Sequence, residues 1–291
     1  MKRHTLAVVA LLLTATAWGA SFTLIKQVLT QIAPEPFIAY RFTLAGIILC
    51  LIAFRRLTRD VLLPGLILGL LVFAGYLSQT YGLITISASR SAFLTCLYVV
   101  MVPFADRLIH KTHMSWRAWM ASVLAVVGTT AMIGGFEARP SWGDALTIFC
   151  AVIFALHVVY SSRWSARHST TGLAAVQVLV VGLVALPFLP FSPSPQWSPE
   201  LGWVIVGTAI VTTALAFAAL MWGQAHVSAT EAAVILSFEP VAASLTSIFW
   251  DREPLTAPFV IGATLILAAM ILSQLPSATM RSDGTPHPRH E

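Results

Sequence analysis

Residues 5–25 read TLAVVALLLTATAWGASFTLI, twenty-one residues without one charge. A helix rises about 1.5 Å per residue and the hydrocarbon of a bilayer is about 30 Å thick, so roughly 20 apolar residues make one crossing. This stretch is long enough. Nine more runs of the same kind follow at about 36–54, 63–83, 90–108, 116–135, 144–163, 171–191, 201–223, 229–249 and 256–275. They are continuous rather than alternating with polar residues, and lipid offers no partners to open strand edges, so each reads as a helix. The expected fold class is an all-α membrane protein of ten transmembrane helices.

Composition agrees with that reading. Hydrophobic residues make up 57% of the 291 and charged residues 10%, against roughly 25% charged in soluble domains. No aqueous fold of this size hides so much apolar surface. Cys50, Cys96 and Cys150 all fall inside apolar runs without metal or redox spacing, and read as buried thiols. The net charge of +5 reflects residues that orient a membrane protein, not a nucleic-acid partner. A cleaved signal peptide fits poorly, because Trp18 occupies a position that should be small and the run continues through Phe22, Leu24 and Ile25.

Orientation follows from the Lys and Arg residues. With the amino terminus inside, twelve of the 17 fall on the cytoplasmic side, among them Lys2, Arg3, Arg55, Arg56, Arg59, Arg163 and Arg167. Lys26, Arg41, Arg90, Arg139 and Arg252 fall on the other. The bias puts both termini in the cytoplasm of a multi-pass inner-membrane protein. The segment 276–291 is polar with Gly and Pro, and reads as a disordered cytoplasmic tail.

Five helices followed by five more give each half an odd number of crossings, so homologous halves would have opposite topology. Sliding the second half onto the first by 141 residues aligns helix lengths and turns, with Ala88 on Ala229, Leu97 on Phe238 and Val126 on Leu267. The expected division is a first repeat at 1–136 (helices one to five), a second at 143–275 (helices six to ten) and the tail. Inverted repeats are a common plan of secondary transporters, with the substrate site near the midplane.

Further marks are Trp18-Gly19-Ala20-Ser21-Phe22 in helix one, Tyr40-Arg41-Phe42 opening helix two, and Ser87-Ala88-Ser89-Arg90-Ser91-Ala92-Phe93-Leu94 entering helix four. Glu239-Pro240-Val241 lies in helix nine and Glu253-Pro254-Leu255-Thr256 precedes helix ten. In their order and spacing these strings resemble the EamA family of the drug/metabolite transporter superfamily, over about Leu6 to Leu275. The resemblance implies two five-helix repeats and transport of amino acids, metabolites or drugs. One departure stands out. Many members have a proline in helix four at the position matching Pro240, where this chain has Val99, with Pro103 four residues later. The depth at which the first half bends is thereby left open.

An ionisable group at the bilayer centre costs about 2.5–3.5 kcal/mol on insertion scales, so its presence suggests function. Glu239 is eleventh of 21 residues in helix nine, next to Pro240, which cannot donate a backbone hydrogen bond. It is the first candidate for binding substrate or a coupling proton; the alternative is that it serves backbone groups freed by the proline. The 141-residue offset pairs Tyr98 with Glu239 and Arg90 with Glu231. Glu231, eight residues earlier and about 12 Å towards the cytoplasm, reads as a gate residue with Arg41 and Arg90. Those two, with Lys26, belong near outer helix ends, where they form a positive vestibule or act as snorkelling anchors. Trp18, Tyr81, His157 and Trp222 complete the expected lining of a cavity bounded by helices one, three, four, six, eight and nine. Gln79, Tyr160 and Gln224 are lesser candidates, and each of these polar groups could instead be satisfied between helices.

The function expected is alternating-access transport, as export, of a small organic metabolite, an amino acid or related compound, with no cofactor or metal. The alternatives are an integral-membrane enzyme and a passive channel. Against an enzyme, the five aspartates are isolated, no Gly-x-Ser-x-Gly elbow accompanies His157, and no Walker A motif is present. Against a channel stands the combination of inverted repeat and midplane carboxylate.

Overall fold

Uninterrupted apolar sequence leaves backbone amides only one another as partners, and they close into helices. The computed structural model describes residues 2–110, 116–133, 141–227, 232, 235–252 and 254–274. Among these, every regular element is helical: α1 (Lys2–Val28), α2 (Pro34–Ala53), α3 (Arg59–Thr85), α4 (Ala88–Cys96), α5 (Tyr98–His110) and α6 (Trp116–Ile133). Then come α7 (Trp142–Ser165), α8 (Thr170–Ala185), α9 (Pro199–Gly207), α10 (Ala216–Gln224), α11 (Glu239–Thr246) and α12 (Ala257–Gln274). Seven stretches are long and apolar enough to cross a membrane, and the helices Trp119–Ala131 and Ala257–Leu272 are apolar but shorter. Leu51, Val123, Trp203 and Phe249 are more than half exposed, a surface suited to lipid rather than water.

Polar residues set the helix ends. Ser141 and Asp144 form a reciprocal capping box at the start of α7, and Ser87, Ser169 and Ser198 accept from the first-turn amides of α4, α8 and α9. The run expected to be helical to residue 191 leaves α-geometry at Ala185. Leu186–Phe191 continues as a 3-10 turn with Pro187 and Pro190, residues that cannot donate to an α-helical ladder.

Small residues fix the pairings. Gly46 of α2 lies against the backbone of Leu179 in α8, and Gly182 of α8 lies against Thr43 in α2. One index rises as the other falls, so the two helices are antiparallel. Gly75 and Gly82 of α3 meet Phe154 and Thr147 of α7 in the same antiparallel sense, whereas Gly65 and Gly69 meet Val176 and Val180 of α8 in a parallel one. The α1 helix runs parallel to the 239–251 segment, with Gly19 against Ala242, Thr23 bonded to Ser247 and Gln27 to Asp251. It runs against α9 and α10, where Trp18 reaches Thr212 and Leu11 meets Gly223. These directions match helices that alternate in crossing.

Four segments depart from α-geometry. The fourth apolar run is interrupted at Leu97, between α4 and α5, and the ninth at the turn Ser237–Phe238, just before Pro240. The wider π-helical turn occupies Thr208–Leu215 and Ser247–Asp251. Proline explains the break at Ser237–Phe238, because its ring clashes with the preceding turn and its nitrogen donates nothing. It does not explain the break at Leu97, since Pro103 stands six residues further on. The two halves nevertheless bend at matching depth, at residues related by the 141-residue offset.

Candidate functional site

Between the two breaks lies a cavity enclosing about 730 Å³ not filled by atoms. Trp18, Ser21 and Phe22 line it from α1, and Tyr76 and Gln79 from α3. Thr95 and Tyr98 flank the break at Leu97, while Leu236 and Glu239 flank the one at Ser237–Phe238. Phe154 and His157 of α7 and Phe217 of α10 complete the wall. These are the first, third, fourth, sixth, eighth and ninth apolar runs.

Glu239 is buried, at 5% exposure. Its Oε2 accepts from the Cys96 thiol at 3.7 Å, a weak donor for a carboxylate. Gly19 is where α1 closes on this residue, since a side chain there would collide with the Glu239 carbonyl, Ala242 and Ala243. The Trp18 indole donates to the Thr212 carbonyl at 2.7 Å, inside the π-helical turn whose wider winding exposes such groups. Its ring packs 5.6 Å from Phe217. His157 meets Gln177 of α8 at 2.9 Å, so one ring nitrogen is held between helices while the residue still borders the cavity. Gln79 donates to Thr95 at 3.0 Å.

Sequence reasoning missed Phe22, Tyr76, Thr95, Phe154 and Phe217 of this wall. The signal for Tyr76 and Phe154 is Gly75, since a side chain there would collide with the Phe154 ring, but only a known helix pairing gives that glycine its meaning.

The sequence pattern of the EamA-like transporter family matches residues 5–134 and again residues 141–275. The chain belongs to the EamA-like transporter family. An uncharacterized transporter of Archaeoglobus fulgidus is 32% identical over 271 residues, covering 91% of this chain and 84% of that protein. The uncharacterized transporter YoaV of Bacillus subtilis is 21% identical, covering 88% and 92%. An S-adenosylmethionine/S-adenosylhomocysteine transporter of Chlamydia trachomatis serovar L2 is 23% identical, covering 71% and 69%. One crystal structure shares the fold with a TM-score of 0.70 at 18% identity, covering 94% of this chain and 98% of that one.

Some residues expected in the site of this EamA-like transporter lie elsewhere. Tyr81 is exposed and bonds Glu35 at the start of α2, because α3 turns that face outwards one turn beyond the cavity wall. Trp222 packs on His226 at 4.6 Å, on a face of α10 that Phe217 and Leu220 do not share. Tyr160 stacks on Trp164, and Gln224 accepts from Ser161.

Arg41 does not face an open vestibule. It is fully buried behind Tyr76, with its centre 5.3 Å from that ring, and donates to Thr213 and Thr212 at 2.7 and 2.9 Å. Arg90 is neutralised by a two-point ion pair with Asp144 at 2.7 and 2.8 Å. Lys26 donates to the carbonyls of Leu83 and Ile86, capping the end of α3. Glu231 and the tail 276–291 lie outside the described residues.

Proposed function

We propose that this family member is a secondary transporter that moves a small organic metabolite outwards by alternating access. The observation that carries this reading is a polar-centred cavity set between two interrupted helices, the arrangement in which transporters hold cargo at mid-membrane. Ten crossings arranged as inverted repeats, 1–136 and 143–275, have three supports. The breaks at Leu97 and Phe238 are 141 residues apart. The Gly46–Leu179 and Thr43–Gly182 contacts exchange under one half-turn. Helix pairing is also reciprocal, with α3 on α7 answered by α10 on α1, and α4 and α5 on α7 answered by α11 on α1. The distribution of Lys and Arg favours both termini in the cytoplasm, and so an inner-membrane site in a bacterial cell.

Glu239 is the residue that meets substrate or a coupling proton, with Tyr98, Trp18 and His157 beside it. The test is counterflow in proteoliposomes loaded with candidate amino acids, amines and S-adenosylmethionine. Saturable uptake accelerated by unlabelled compound on the far side is expected. Linear, unsaturable flux without counterflow would indicate a channel and refute alternating access.

A further inference from the structure

Charge in the cavity is one-sided. Among the described residues that line it, Glu239 is the single carboxylate and none is Lys or Arg. Its only polar neighbour among them is the Cys96 thiol, at 3.7 Å. The nearest guanidinium, Arg41, lies behind Tyr76 with its donors engaged by Thr212 and Thr213, outside the lining. The rest of the wall is largely aromatic, with Trp18, Phe22, Tyr76, Tyr98, Phe154 and Phe217.

A cargo entering this space must leave no buried charge unmatched. An anion would add a second negative charge with no base to meet it. A zwitterion would match its ammonium to Glu239 and strand its carboxylate among rings. A cation on an apolar body matches everything offered: its head meets the carboxylate and ring faces, which attract cations, and its body meets the remaining apolar wall. The positive ends of α5 and α11 point towards the same region, but Glu239 itself occupies the first turn of α11 and engages that end.

We propose that the cavity selects small organic cations, ammonium or sulfonium heads on an aromatic or aliphatic body, over anions and zwitterions of the same body. This rests on the reading of the cavity as the cargo site.

The experiment titrates the full-length protein in lipid nanodiscs with 2-phenylethylamine, 2-phenylethanol, 3-phenylpropionate and L-phenylalanine, which share one ring and differ in charge. The amine is expected to bind about tenfold more tightly than each of the other three. In Glu239→Gln its affinity should fall to that of the alcohol, whose own binding stays unchanged. An amine no tighter than the alcohol, or a carboxylate or zwitterion as tight as the amine, overturns the proposal. The wild-type series decides the matter even if the variant does not fold. Amine preference without counterflow would count against the transporter reading alone, whereas counterflow with carboxylate preference would count against this proposal alone.

Discussion

Arg90 grips both carboxylate oxygens of Asp144, tying the start of α4 to the start of α7. Asp144 is fully buried and also serves as the capping-box partner of Ser141. Removing one member of a buried pair strands the other, though the partial exposure of Arg90 moderates the loss. Asp144→Ala is expected to cost about 2 kcal/mol through lost pairing and capping. Adding Arg90→Ala to it should cost less than the two single changes together. Thermal unfolding in detergent measures this, and strict additivity would mean that the pair is energetically silent.

Gly46 and Gly182 occupy equivalent places in the α2–α8 interface, each against the partner backbone. A leucine at either position forces the helices apart. Gly46→Leu and Gly182→Leu should therefore reduce the folded, monodisperse fraction to a similar degree, each costing about 3 kcal/mol or more. Size-exclusion profiles of fluorescent fusions report this, and a large effect at one site with none at the other would contradict an interface that reads the same from both sides.

The separation of Trp18 from Trp222 and Tyr81 has a kinetic consequence. Trp18→Ala opens the cavity wall and should raise KM about tenfold or more, the loss of one large aromatic contact. Trp222→Phe and Tyr81→Phe should leave KM within about twofold, because neither side chain borders the cavity. A reversed order would move the cargo site away from the breaks.

Glu239→Gln keeps the size of the side chain and removes its charge. If Glu239 carries the coupling proton, the initial transport rate of wild type varies with pH and that of the variant is low and flat. Measurement at matched expression across pH 5–9 decides it. An unaltered rate and pH profile would leave Glu239 a structural residue beside Pro240.

A carboxy-terminal fusion reports topology. With both ends in the cytoplasm, a green fluorescent protein fused after Glu291 should fluoresce and alkaline phosphatase at the same place should be inactive. The opposite pair of results inverts the assigned orientation.

Much of the fold was legible because lipid simplifies the code. Runs such as 5–25 and 63–83 became α1 and α3 with an extra turn or less at each end, since nothing but a helix satisfies an apolar backbone. Trp18, Tyr98, His157 and Glu239 reached the cavity because polar or aromatic groups at mid-depth have few other places to go. Tyr81, Trp222 and Arg41 show where that reasoning stops. Residue type gives depth, but the face a side chain takes depends on which neighbours the helix meets, and a helix apolar all round carries no amphipathic stripe to announce it.

The sequence by itself determined that the chain folds as membrane-length helices, roughly where each begins and ends, and that Glu239 lies at mid-depth next to a proline. These follow from local chemistry: run length, capping serines and the missing amide of Pro240. Tertiary structure alone decided that Arg41 is buried on Thr212 and Thr213, that Tyr76, Phe154 and Phe217 turn inwards, and that the fourth run breaks at Leu97 without a proline to break it. Those outcomes depend on close approaches at Gly19, Gly46, Gly75 and Gly182 between segments far apart in the chain, and such contacts have no local signature.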